Sequence, residues 1–330
     1  MRIADRGGWR LLSLAAAAAA CLALGLGLRV DAQQRLPRVG VLSPVNPRPA
    51  PHFVAFETRL RDLGWVDGRT VTIDFRQPER IDDLATVAAD LVRRGATVLV
   101  AAGPEPPLKA LRHATRTIPI VMTAINYDPI ERGYVTSLAR PGGNVTGLFY
   151  RQLELGAKQL QLLREAFPKA ARLAVLWDSA FSVDQLPAIE TAARDLKIDL
   201  LKVQLGPPYD LEAAFTKLKD GRVAGVLIAG SPVFFRERAR IGELAVKMRL
   251  PTMSAAALAE TGLIGYGPSL NGIYRRAAEY VDKILRGTPP AELPVEQPAT
   301  FELVINLRTA RALGVALPQT LLQRADRIIE

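Results

Sequence analysis

The chain has 330 residues, 49% of them hydrophobic and 23% charged, with 25 Gly and 24 Pro, a globular make-up that excludes a disordered, collagen-like or coiled-coil chain. This length suggests two domains, since single cores stop growing at about 250–300 residues. The net charge is +10, but only 6% of residues are aromatic and no dense basic tract interleaves with them, which disfavours nucleic-acid binding; one Cys and two His build neither a Cys/His zinc site nor an internal disulfide.

The first 32 residues differ from the rest. Arg2, Arg6 and Arg10 make a positive start, Leu11 to Leu28 carries no charge, and Val30-Asp31-Ala32 places small residues at −3 and −1 of a cleavage site before Gln33. This predicts a signal peptide. An uncleaved membrane anchor is the next reading, because such a run just reaches the lower limit for spanning. A lipoprotein modified at Cys21 is the third.

Short β-branched runs then alternate with helical patterns. Strands are predicted over 38–43, 70–75, 97–101, 118–123 and 145–149. Phe53, Phe56, Leu60 and Leu63 recur at helical spacing up to Gly64, and a second helix carries Asp82 and Asp83 at its start and Arg93 and Arg94 at its end, complementing the helix dipole. Five strands in βα alternation predict a parallel sheet covered on both faces. The second half repeats the plan, with strands over 172–177, 199–203, 225–229, 250–253 and 263–266. An amphipathic helix follows each half, marked by Leu155, Leu160, Leu163 and Phe167 and by Ile273, Ala277, Val281 and Ile284; both are read as crossovers between lobes. The pattern leaves open which lobe the remainder from Pro289 caps. The expected fold is α/β: two doubly wound parallel-sheet lobes joined by a hinge. Residues 33–148 with about 267–300 form one lobe, and 149–266 with about 301–330 the other.

In such sheets ligands bind beyond the carboxyl ends of the strands. The first loop, Ser43-Pro44-Val45-Asn46-Pro47, lacks G-x-G-x-x-G, and no G-x-x-x-x-G-K-[ST] occurs, so no dinucleotide or nucleotide cofactor is expected. Gly103-Pro104-Glu105, after the third strand, precedes a helix start where an anion could dock; the same residues also make an ordinary tight turn. Asp128, beside Asn126, either pairs with a ligand ammonium or caps the turn opened by Pro129. In the second lobe Asp178-Ser179 and Ser231 occupy the matching loops. Trp177 reads as lobe core ahead of ligand contact, and Tyr150 and Tyr266 fall at the presumed crossings. His52 and His113 are read as surface residues, and neither forms a catalytic unit. Asn144-Val145-Thr146 has glycosylation spacing but is read as serving the fold.

Several long blocks carry a resemblance: LARPGGNVTG (138–147), ELGAKQLQLLREAFPKAAR (154–172), SPVFFRERARIGELAVKMRLP (231–251), GYGPSL (265–270) and the stretch 277–314. In this order they resemble ABC-transporter substrate-binding proteins of the TrpX-like kind. The resemblance implies a type I periplasmic-binding-protein fold that closes around a small, amino-acid-like or aromatic molecule and presents the closed form to an ABC permease in the inner membrane. Carried over residue by residue, it implies ligand-facing positions at Ser43, Gly103, Pro104, Asn126, Asp128, Asp178 and Ser231; Asn46, Glu105, Ser179 and Tyr266 complete the candidate set. Two departures stand out. Relatives often have a Gly-Thr-Pro loop where this chain has Gly103-Pro104-Glu105, and an Asn-rich loop where it has Trp177-Asp178-Ser179-Ala180-Phe181. Glu105 facing inward would disfavour a second ligand carboxylate. The expected protein is a periplasmic, monomeric solute-binding protein without cofactor, metal or catalysis. The alternatives are a ligand-sensing subunit for a receptor and an enzyme on the same scaffold.

Overall fold

The computed structural model describes residues 36–44, 47–151 and 155–330. Residues 1–32, where the signal peptide is predicted, and Asn46 lie outside the described residues. Residues 37–330 form one unit by contact. The first half runs β1 (Arg38–Leu42), α1 (Pro51–Asp62), β2 (Thr72–Arg76), α2 (Leu84–Arg93), β3 (Val98–Gly103), α3 (Glu105–Ala114), β4 (Ile120–Ile125) and β5 (Val145–Tyr150). These strands form a parallel sheet in the order β2-β1-β3-β4-β5. All six residues of β3 are buried, so it reads as a continuous apolar run rather than an alternation, as a strand covered on both faces must.

The chain continues through α4 (Leu155–Ala166), β6 (Arg172–Asp178), α5 (Leu186–Asp195), β7 (Asp199–Leu205), α6 (Leu211–Asp220), β8 (Val226–Ile228), α7 (Pro232–Arg236), α8 (Arg238–Lys247), β9 (Thr252–Ser254) and β10 (Ile264–Pro268). It ends with α9 (Leu270–Leu285), β11 (Phe301–Asn306), α10 (Leu307–Leu313), α11 (Gln319–Leu322) and β12 (Arg327–Ile329). The second sheet has the order β12-β11-β10-β9-β8-β6-β7. It departs from the wholly parallel expectation at one pair: β11 runs antiparallel to β10, with Phe301 opposite Pro268. The chain re-enters this sheet at the end where β10 finished, so β11 must run back along it.

Both amphipathic helices pack on the sheet opposite the one they leave. Leu160, Leu162, Leu163 and Ala166 of α4 join Leu173, Val175 and Ile189 in a core of the second lobe. Ile273, Tyr274, Ala277 and Val281 of α9 join Phe53, Phe56 and Leu60 of α1 in the first. Between α9 and β11 the chain straps the first lobe. Thr146 Oγ1 donates to Leu293 O at 2.7 Å, Glu296 N to Gly147 O at 2.9 Å, and Phe149 N to Glu296 O at 3.0 Å. Arg276 of α9 holds this strap through two bonds to the Glu296 carboxylate, 2.9 and 2.6 Å long.

Gly147 sits where strap and sheet meet, with φ +128°. A Cβ there would press on the Met122 carbonyl and lie 2.7 Å from Met122 N. Since backbone rather than a flexible side chain is in the way, Gly147→Ala should cost about 3 kcal/mol or more, read as a lowered urea midpoint at unchanged m-value.

Candidate functional site

Each sheet reverses its strand order at a point where adjacent loops part: between β1 and β3 in the first, between β6 and β8 in the second. Such reversals open a crevice at the carboxyl ends of the strands. The loops after those four strands face one another across a cavity of about 320 Å³. From the first lobe come Ser43, Gly103, Pro104, Glu105, Asn126 and Tyr127, and from the second Ala180, Phe181, Ser231 and Phe235. His52 and Tyr274, from α1 and α9, also line it, as does Tyr150.

The wall at α3 is poor in donors. A helix start ordinarily offers four unbonded amides. Here Pro104, Pro106 and Pro107 have none to offer, Gly103 N bonds Thr123 Oγ1 at 3.3 Å, and Glu105 adds a carboxylate. That arrangement favours the tight-turn reading of this loop over the anion-docking one. The Glu105 carboxylate is itself engaged: Tyr134 Oη donates to Oε1 at 2.9 Å, and Arg132 Nε lies 3.6 Å from Oε2. Burial, then this hydrogen bond, pushes the Tyr134 phenol up from its ordinary range. The cavity therefore carries a balanced ion pair beside apolar and aromatic walls.

Asp178, fully buried, works as a post for the second-lobe loops. It accepts from Ala180 N at 2.8 Å and Ser231 Oγ at 2.6 Å. Ser231 Oγ in turn accepts from Val233 N at 3.0 Å, and Gln185 brackets Gly230 through bonds of 2.7 and 2.9 Å. Ser231 lines the cavity; Asp178 and Ser179 do not. Asp128 accepts from Ile130 N at 2.8 Å and Glu131 N at 3.3 Å, the capping arrangement, and does not line the cavity. Tyr266 stacks on Phe301 with ring centroids 6.0 Å apart, away from the cavity lining. Asn144 is buried and donates to Ile118 O at 2.7 Å, a role within the fold.

The clearest correction concerns His52, expected at the surface and found 2% exposed. Its ring lies 4.4 Å from Phe53, 4.6 Å from Tyr274 and 6.3 Å from Phe235 of the opposite lobe. His52 Nε2 has no hydrogen-bond partner in the protein, an arrangement that ordinarily costs about 1–3 kcal/mol. Burial, assisted by the Arg238 charge, lowers its pKa to about 4. Tyr127, Arg132 and Phe235 were also missed as lining residues. Tyr127 lies between the candidates Asn126 and Asp128, and Phe235 sits one helical turn after Ser231. Among the described residues no cluster of three or more His, Cys, Asp or Glu could hold a metal, and no helix is long and apolar enough to cross a membrane.

Comparison with known proteins adds the following. Residues 50–329 match the family described as "ABC transporter substrate binding protein". A tyrosine-binding protein of Clostridioides difficile (strain R20291) is 25% identical over 268 residues, covering 79% of this chain and 75% of the relative. Among solved structures, an ABC domain in complex with L-Trp from Streptococcus pneumonia superposes with a TM-score of 0.76 at 24% identity, covering 89% of this chain and all of that one. A ligand-free, open substrate-binding protein with adhesive properties from Clostridium difficile gives 0.66 at 22% identity, covering 89% and 99%. At these identities the structures speak to fold: two α/β lobes of the type I periplasmic-binding-protein kind, shared also with a leucine-binding protein of Thermotoga maritima at a TM-score of 0.53, 12% identity, and coverage of 76% of this chain and 83% of that one.

The buried imidazole has a pH consequence. An unfolded His binds its proton near pH 6.5, whereas folded His52 resists it down to about 4, so the unfolded state holds more protons in that window and stability falls as pH falls. Between neutral pH and pH 4 the wild type should lose about 3 kcal/mol that His52→Phe keeps, measured by urea unfolding of both proteins across the range.

Proposed function

The chain belongs to the ABC transporter substrate-binding protein family, and from that premise we propose that it is an exported solute-binding protein. In this reading it captures a small, aromatic or amino-acid-like molecule between its lobes and delivers it to a permease of the inner membrane. The observation that carries the proposal is the cavity itself. It lies at both strand-order reversals at once, takes its walls from both lobes, and at about 320 Å³ sits at the small end of ligand pockets. Tyr127, Tyr150, Phe181, Phe235 and Tyr274 give it an aromatic interior suited to a flat or apolar body.

The relatives support the ligand class: one is named for tyrosine, another was solved with L-Trp. A hinge equilibrium biased by contacts available only when the lobes close is enough to signal occupancy, and needs no bond-making group. Export rests on Arg2, Arg6 and Arg10, the uncharged run after them and the Val30-Asp31-Ala32 site.

A thermal-shift screen of aromatic amino acids, aromatic acids and small amides tests this reading. A ligand at 100 times its Kd should add about 2.7 kcal/mol of stability. Phe235→Ala removes a wall of the second lobe and should weaken the best ligand by about tenfold or more while leaving unliganded stability within about 1 kcal/mol. Glu105→Gln should leave Arg132 without its balancing charge, so ligands bearing an extra carboxylate gain on neutral ones in the same screen. An unchanged ranking would remove Glu105 from the account of specificity.

A further inference from the structure

Three buried side-chain polar atoms among the described residues have no hydrogen-bond partner in the protein: His52 Nε2, Arg76 Nε and Tyr127 Oη. Arg76 Nε lies 2.8 Å from Asp74 Oδ1, an ion pair, and so has its compensation. The residues that carry the remaining two, His52 and Tyr127, line the same cavity, with the two polar atoms themselves covered in the unliganded protein. Buried polar atoms in native folds are nearly all bonded, so two exceptions on one wall ask for a common reason.

Local packing does not supply it. His52 occupies the second position of α1, enclosed by the rings of Phe53, Tyr274 and Phe235, where a phenyl group would fill the same space. Tyr127 is 5% exposed and meets Tyr134 edge-on at 6.1 Å, yet Tyr134 gives its own hydroxyl to Glu105 instead. In both places a polar atom is retained at a cost the fold does not recover.

We infer that His52 and Tyr127 are the polar recognition pair for the solute, each completing its hydrogen bonding with the ligand rather than with the protein. The inference rests on the solute-binding reading and names the chemistry of that solute. Tyr127, its phenol pushed far up by burial, acts as donor and selects an acceptor oxygen or nitrogen. His52 acts as the neutral imidazole and selects an uncharged donor or acceptor. Between these two points the aromatic walls take an apolar body, and the Glu105–Arg132 pair leaves the lining electrically balanced. The class is therefore a compact, largely apolar solute whose groups at His52 and Tyr127 are uncharged, such as an amide, carbonyl or phenol.

Burial keeps the His52 imidazole neutral, and the charges around it do not reverse this. Arg238, at the start of α8, opposes its protonation. Beyond the ring, on the second lobe, Glu260 and Arg327 lie 3.5 Å apart and balance each other, and Glu302 of β11 lines the same recess. Tyr274 of α9 contributes a neutral phenol, and across the main cavity Glu105 and Arg132 are paired.

The test uses protein purified from cells expressing the full chain, as wild type, His52→Phe and Tyr127→Phe, each stripped of co-purifying solute by dialysis from denaturant. At neutral pH both stripped variants should melt at or above the wild-type temperature, because an unbonded polar atom has been removed. A fall of more than about 3 °C in either would show its group bonded within the fold and overturn the inference. By calorimetry with L-tyrosine, L-tryptophan and benzamide, the best-binding probe should lose about tenfold or more in each variant, whereas affinities within about twofold of wild type would overturn the inference. Wild-type affinity should hold down to about pH 5 and fall only as the pH approaches and passes 4, where folded His52 takes its proton, with His52→Phe flat; affinity that rises on acidification would mean an imidazolium meeting an anion, and would overturn the neutral role. If no probe binds wild type, the aromatic or amino-acid-like ligand class fails, while the melting comparison still decides the inference about His52 and Tyr127.

Discussion

The structure depends on where α9 buries its apolar face. The helix leaves β10 of the second sheet, yet Ile273, Tyr274, Ala277 and Val281 find their apolar partners on the first, against Phe53, Phe56 and Leu60. A helix with that many buried residues cannot float between lobes, so the chain commits to crossing, as it does in the other direction at α4. The crossings turn the carboxyl ends of both sheets toward one another. Everything in the cavity, from the prolines of α3 to Ser231 on the opposite wall, is placed by that constraint.

The two walls are built by different means. On the second lobe, buried polar groups are spent on each other: Asp178, Ser231, Gln185 and Gly230 form a closed set of hydrogen bonds that fixes the loops. A satisfied buried network of this sort rigidifies what it holds. On the first lobe the loop at α3 has few donors, its carboxylate is matched by Arg132 and Tyr134, and two polar atoms are left over. Stiffness comes from one side and discrimination from the other.

Much of the fold was legible because the signals were local. The βα alternation, the helix after each half and the loops after β1, β3, β4 and β8 follow from hydrophobic period and punctuation by Gly and Pro. The direction of β11 was not legible, since FELVIN reads equally well in either sense and its orientation is set by where the strap delivers the chain. Nor was the depth of His52. A first-turn histidine beside exposed Val54 looks like surface; only the crossing helix, which brings Tyr274 onto it, and the far lobe, which brings Phe235, enclose it. Asp178 illustrates the same limit: a carboxylate in a candidate binding loop looks like a ligand contact until the serine 53 positions later is seen to use it.

The strap that seals β5 has one more implication. Thr146 and the carbonyl it grasps, that of Leu293, are 147 positions apart in the chain. An uncovered edge strand is a template for pairing with other chains. The first lobe therefore cannot finish itself as its own residues emerge: its margin stays raw until nearly the whole polypeptide has been made. A chain with that dependency folds best when delivered whole, and is most prone to clump when its last segments are truncated or late.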